Sequence, residues 1–206
     1  MANTNAPYGF RQYSGNGSAP TYEQVAFKID YNAGAIYFGD PVTAQADGSI
    51  AQSASTGGSP TALGIAGVFV GCKYLSQAQK RTVWSNYWPG TDAASTTYVE
   101  GYVVNDPNAR FIAQSDATGL AYPLDQNTTV GFLIGSGNAN TGISGAYLDS
   151  TTVGTGANNP FRVIQVCNDT TGPLPPGSNG SYTNGQPYDY AIVAFNNVNT
   201  RNFTGV

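Results

Sequence analysis

The chain has 206 residues, a net charge of −4 and an apolar fraction of 40%, with only 10% charged residues. A chain of this length and apolar content buries a core of its own, unlike a disordered polymer. It contains no run of Lys or Arg, which excludes the electrostatic footprint of nucleic-acid binding, and no apolar run approaches the roughly 18 residues of a membrane span. The opening MANTNAPYGF lacks the basic and apolar regions of an export signal, so we expect a soluble protein.

Residues 1–21 are rich in Gly, Asn, Ser and Pro and show no sustained periodicity. This pattern predicts an extended N-terminal arm. Residues 22–206 are predicted to form one domain, since their number suits a single domain of above-average size.

The first candidate strand is residues 22–31 (YEQVAFKIDY), where apolar and polar side chains alternate. Residues 63–74 (LGIAGVFVGCKY) are almost continuously apolar and contain three glycines, which predicts a central strand with a bulge or a close backbone contact. Residues 75–81 (LSQAQKR) are the only helix candidate, with one or two turns at most.

The stretch 98–116 (YVEGYVVNDPNARFIAQSD) contains two apolar runs joined at Asn105–Asn108. Pro107 has the φ that a type I turn requires at its second position, and the carboxylate of Asp106 can cap that turn. We therefore predict a hairpin at this point and not a catalytic site.

Further apolar runs follow at residues 130–135, 161–169 and 188–197, separated by long polar loops. The turns recur at intervals typical of sandwiches and barrels, and no helix is long enough to connect parallel strands. The predicted fold class is all-β: a single-domain β-barrel or jelly-roll-like sandwich of about ten strands, with the N-terminal arm.

Few groups are candidates for chemistry. The chain has no His, which excludes Ser-His and Cys-His nucleophile pairs. Glu100 lies beside Tyr98 and Tyr102 in a strand, a row that binds sugar or serves a glycosidase in some proteins but is more often a solvent face or an interface. Cys72 and Cys167 lie in apolar runs and are predicted to be buried, reduced thiols. We predict no catalytic, cofactor-binding or metal-binding residues and no cofactor.

Four segments of the chain each match a segment found in one known family. They are MANTNAPYGFRQYSG, LGIAGVFVGCKY, the piece from Trp84 to Trp88-Pro-Gly, and YVEGYVVNDPNARFIAQSD. Together, over about residues 1–116, they resemble the head decoration, or cement, proteins of tailed bacteriophages. That family opens with Ala-Asn-x-x-Ala-Pro-x-Gly-Phe-Arg and carries a Gly-Val-Phe-x-Gly-x-x-Tyr strand. Its central hairpin often contains Asp-Asp-Pro, where this chain has Asn105 in place of the first Asp.

The resemblance implies a virion structural protein on the outside of the capsid, made in the bacterial host cytoplasm. Its partners would be the major capsid protein and further copies of itself in a homo-oligomer, a dimer or a trimer, with neither nucleic acid nor membrane. No enzymatic activity is implied. The N-terminal arm would be a tether that orders on assembly, with Tyr8, Phe10 and Tyr13 as apolar contacts and Arg11 paired with a carboxylate of the partner.

A carbohydrate-binding β-sandwich, as in a head-fibre or adhesin module, is the alternative function. Trp84, Trp88, Tyr98 and Tyr102 would supply its aromatic platform. We expect these four rings to lie in a barrel core instead. A glycan-cleaving enzyme is the third reading.

Overall fold

The computed structural model describes residues 3–14, 24–55, 64–94, 99–122, 124–154, 156–167 and 186–199. Within these ranges the chain forms twelve β-strands and no α-helix. The strands are β1 (Arg11–Ser14), β2 (Gln24–Ile29), β3 (Pro41–Ala44), β4 (Ser49–Gln52), β5 (Gly67–Leu75), β6 (Thr82–Ser85), β7 (Val99–Val104), β8 (Arg110–Gln114), β9 (Thr129–Leu133), β10 (Tyr147–Gly154), β11 (Phe161–Cys167) and β12 (Tyr190–Phe195). The all-β prediction is confirmed.

The strands form two six-stranded sheets. The first has the order β3-β4-β2-β7-β5-β6, and β3 also pairs with β5, which closes a five-stranded barrel and leaves β6 as an added edge strand. The second has the order β1-β8-β12-β11-β9-β10. All described strand pairs are antiparallel except β2 with β4. A barrel is thus present, and a jelly-roll arrangement is not confirmed.

Each sheet encloses its own apolar core. The barrel core includes Phe69 and Trp88, and the core of the second sheet is built around the rings of Phe111, Phe161 and Phe195. Two valines that belong to the barrel sheet, Val68 of β5 and Val104 of β7, pack into the second core. The two sheets therefore pack against each other.

Local patterns explain strands β2 and β5. In β2 the side chains of Gln24, Ala26 and Lys28 are exposed and alternate with more buried neighbours, as the sequence predicts. In β5 a Cβ atom at Gly67 would lie 2.3 Å from the carbonyl oxygen of Val104, so only glycine fits against β7. The pairing of β5 with β7 shifts register before Gly71, which confirms the predicted bulge.

The N-terminal segment packs on its own chain. Strand β1 pairs with β8, and Phe10 is 1% exposed in the second core, where its ring stacks on Phe161 at 4.3 Å. An N-terminal arm is therefore not confirmed for residues 3–14, because its apolar side chain finds burial within the same chain. Residues 15–21 lie outside the described ranges.

Two other local predictions are corrected. Residues 75–81 form the end of β5 and a turn, not a helix. The turn at Asn105–Asn108 is confirmed, since the Asn108 N–H donates to Asp106 Oδ1 at 2.8 Å and the Ala109 N–H to the Asp106 carbonyl at 2.9 Å. The hairpin prediction is wrong, because β7 and β8 belong to different sheets and the turn carries the chain from one to the other.

The burial of Phe10 predicts a large stability effect. We expect Phe10→Ala to lower the free energy of unfolding by about 3–5 kcal/mol, the usual cost of removing a buried ring. Tyr13→Ala is the matched control, because Tyr13 lies in β1 but is 57% exposed, and we expect a change within about 0.5 kcal/mol. Urea unfolding of both variants measures this, and equal stabilities would contradict the packing of β1.

Candidate functional site

The outer face of the barrel carries an exposed surface built across four strands. Lys28 of β2 lies opposite Glu100 of β7, Glu100 lies opposite Lys73 of β5, and Lys73 lies opposite Trp84 of β6. Lys73 Nζ is 3.8 Å from Glu100 Oε2 and 5.2 Å from the centre of the Trp84 ring. One row of side chains thus combines an ion pair with a cation over an aromatic face.

Trp84 and Tyr102 form an exposed aromatic stack. Their ring centres are 5.7 Å apart with an angle of 5° between the planes, and Trp84 is 67% exposed. Tyr102 lies on β7 and Trp84 on β6, on either side of β5, and Gly71 of β5 lies opposite Tyr102. A Cβ atom at Gly71 would lie 2.9 Å from the Ser85 carbonyl oxygen, so glycine lets β5 and the end of β6 approach closely here. We call Trp84, Tyr102, Lys73 and Glu100 the aromatic surface.

The four aromatic residues weighed from the sequence have different environments. Trp88 is fully buried, packs edge-on against Tyr74 at 5.1 Å and donates its indole N–H to the Ala33 carbonyl at 3.2 Å. The expectation of a core position is confirmed for Trp88. It is wrong for Trp84, which is 67% exposed, and for Tyr102, which is half-buried against the Trp84 ring and not in a core. Tyr98 lies outside the described residues.

A cleft of about 420 Å³ adjoins the aromatic surface, between β1 and the barrel. A shallow depression lies beside Trp84. Tyr102 and Gln24 line both this depression and the cleft. The guanidinium carbon of Arg11 lies 5.0 Å from the ring centre of Phe38 and 5.5 Å from that of Tyr8. The remaining lining residues are mostly apolar: Phe10, Gln12, Phe38, Val68, Val70 and Phe111.

The four residues predicted to contact a partner, Tyr8, Phe10, Arg11 and Tyr13, differ in their exposure. Phe10 is buried in its own core and, as a correction, is not free to contact a partner. Tyr8 is half-buried, stacks on Tyr190 at 5.8 Å, and lies 5.5 Å from the guanidinium carbon of Arg11. Tyr13 is exposed. The structure brings Tyr8, Phe10 and Arg11 together.

A second cavity, of about 810 Å³, lies next to the N-terminal segment and includes Tyr8, Tyr147 and Tyr188 in its lining. Behind its wall Asp189 is 1% exposed and accepts hydrogen bonds from Ser115 Oγ and the Leu120 N–H. Burial raises the pKa of Asp189 to about 6, against the lowering effect of these hydrogen bonds. Burial likewise raises the pKa of the Tyr8 hydroxyl to about 12.

The remaining groups offer no assembled chemistry within the described ranges. No group of three or more His, Cys, Asp or Glu side chains there is placed to hold a metal ion. Glu100 is engaged with Lys73 at the surface. Cys72 is buried and donates to the Tyr87 carbonyl at 3.3 Å, and burial raises its pKa to about 12. Cys167 is half-buried, so the prediction of burial is wrong for this thiol, and no disulfide joins Cys72 and Cys167.

The fold and the site define an all-β protein with a closed five-stranded barrel, a second sheet and an exposed aromatic surface. In comparisons with known proteins, no family model, no curated protein and no solved structure matches the chain. In the described part of the chain, no helix has the length and apolar character needed to cross a membrane.

Asp189 predicts a pH dependence of stability. Its pKa is about 6 in the folded protein against 3.8 for the free group, so the folded state holds the proton more tightly. The tighter binding of this proton to Asp189 stabilises the folded state by about 3 kcal/mol. This stabilisation is complete below about pH 4 and is lost as the pH rises through about 6.

Asp189→Asn keeps a neutral group at this position and isolates the effect. We expect the unfolding free energy of the variant, relative to the unsubstituted protein, to rise by about 3 kcal/mol between pH 4 and pH 7. Urea unfolding at several pH values measures it. Parallel stability curves for the two proteins would show that Asp189 titrates normally.

Proposed function

We propose that this protein is a virion structural protein that binds the outside of a tailed-phage capsid and cements the major capsid protein subunits. The aromatic surface is the observation that carries the proposal on the structural side, and the resemblance over about residues 1–116 supports it on the sequence side. In this proposal the protein is made in the bacterial host cytoplasm, is not an enzyme, and occupies the capsid surface as a homo-oligomer.

The energetics of the aromatic surface suit such an interface. Trp, Tyr and Arg are the residues that most often carry binding energy at protein interfaces, and Trp84 and Tyr102 stack where a partner can cover them. Each ring buries up to about 150–250 Å² at roughly 25 cal/mol per Å². Modest contacts of this kind gain avidity when a symmetric shell repeats them and the protein is oligomeric.

The composition supports the same role. Only 10% of the residues are charged, and 14 of the aromatic residues are Tyr. Charged side chains are depleted from the centre of protein interfaces because their desolvation is costly, and Tyr is enriched there. A surface of this chemistry favours a protein partner over a polyanion.

Capsids that lack the decoration protein provide the test. We expect Trp84→Ala to weaken capsid binding at least about 30-fold, the effect of losing about 2 kcal/mol at an interface hot spot. Leu124→Ala is the control, because Leu124 is exposed but lies apart from the aromatic surface. Co-sedimentation and capsid occupancy by electron microscopy measure both. Wild-type protein that does not bind such capsids at all would refute the function.

Carbohydrate binding by a head-fibre or adhesin module is the second candidate function. The observation that favours it is the exposure of Trp84. The polar residues Gln24, Ser85 and Asn86 line the depression beside this ring. Exposed aromatic faces bordered by hydroxyl and amide groups suit sugar rings. Binding to host surface polysaccharide that Trp84→Ala abolishes, in a protein that leaves capsids uncoated, would select this function.

A further inference from the structure

The cleft between β1 and the barrel combines apolar residues with one cationic side chain, Arg11. Phe38 and Val70 supply the apolar lining that a ligand can reach, and Phe10, Val68 and Phe111, each at most 1% exposed, lie beneath them. Arg11, Gln12 and Gln24 are the polar residues of the lining, alongside the Tyr102 ring, and the lining contains no carboxylate. An apolar cleft with a few placed polar groups is the usual form of a binding site.

Two donors in this cleft have no hydrogen-bond partner in the described part of the chain. Arg11 Nε and Gln12 Nε2 are buried, and neither makes a hydrogen bond with any described residue. Buried donors are nearly always paired in folded proteins, and leaving one unpaired costs about 1–3 kcal/mol. Because successive side chains of a strand alternate between its faces, these two donors do not share one acceptor position, and each lacks an acceptor of its own.

The charge of Arg11 is also uncompensated within the described ranges. The ion pair found there joins Lys73 to Glu100, and Arg11 has only the rings of Tyr8 and Phe38 beside it. The guanidinium carries five N–H donors in a planar fork that matches the two oxygens of a carboxylate. Arg11 is half-buried, so its guanidinium remains reachable from the cleft.

We infer that this cleft binds a polypeptide segment of a partner protein through an acidic side chain flanked by apolar ones, with Arg11 as the carboxylate-binding residue. The apolar lining favours a peptide over a sugar, because sugar hydroxyls would be buried without partners. The inference rests on the proposed function only in assigning that segment to a capsid subunit.

A pair of peptides tests the chemistry without any capsid. The probes are acetyl-Leu-Asp-Leu-amide and its neutral counterpart acetyl-Leu-Asn-Leu-amide, titrated into the full-length ¹⁵N-labelled protein. We expect the Asp peptide to bind at least ten-fold more tightly and to shift the Arg11 Nε–H and Gln12 Nε2–H₂ resonances. We expect Arg11→Gln to abolish the preference, while Arg162→Gln, at an exposed position of β11, leaves it unchanged.

Other outcomes would overturn the inference. One is equal affinity for the Asp and Asn peptides. Another is a preference for the Asp peptide that survives in a folded Arg11→Gln variant. The third is Arg11-dependent binding of sodium glucuronate that is as tight as binding of the Asp peptide. The comparison of Asp and Asn peptides on the unsubstituted protein stays decisive if Arg11→Gln fails to fold. Peptide binding by a protein that ignores capsids would refute the proposed function and leave the cleft assignment intact.

Discussion

The burial of Phe10 is the constraint on which the relation between the two sheets depends. Its ring fills the core of the second sheet, stacked on Phe161 and edge-on to Phe132. Its N–H donates to the Gly39 carbonyl at 2.9 Å, and the Gly39 N–H donates to Phe69 in the barrel core at 2.8 Å. The segment around Phe10 therefore contacts both sheets, through its ring in the core of the second sheet and through its backbone at Gly39. The cleft that contains Arg11 exists because the next residues run beside the barrel from this fixed point.

A buried carboxylate adds a polar connection to this apolar one. Asp40 is almost fully buried just before β3, and it accepts hydrogen bonds from the Tyr37 N–H, the Gln52 side chain and Ser144 Oγ, which lies just before β10 of the second sheet. Burial raises the pKa of Asp40, while these hydrogen bonds lower it. A buried network in which every polar group has a hydrogen bond favours one arrangement of the neighbouring elements. Any other arrangement would leave a buried polar group without a partner, which costs free energy. Stability therefore comes from the interior, and the outer face of the barrel is left free to vary in its chemistry.

Local chemistry predicted the features that depend on neighbours in sequence. Alternation in β2, the glycine bulge of β5 and the turn at Asp106 all follow from side chains within a few residues. The failures concern distant partners. The turn at Asp106 has the same local chemistry whether the strands that flank it pair with each other or enter different sheets. The sequence near Trp84 does not reveal that its strand is a short edge or that the Tyr102 ring, two strands away, stacks on it. Phe10 lies in a stretch of polar composition, and the rings it packs against, Phe132 and Phe161, are more than a hundred positions away.

The position of β1 has a consequence for synthesis. Strands β2 to β7 form the barrel sheet from one contiguous part of the chain, whereas β1 pairs with β8 and its core neighbours include Phe161 and Phe195. On the ribosome the barrel sheet can assemble while β1 still has no neighbour, since domains fold as their residues emerge. Contacts so distant in sequence form late because a long loop must be closed first. The nascent chain therefore carries an exposed phenylalanine and an unpaired strand through most of its translation, the kind of segment that chaperones bind.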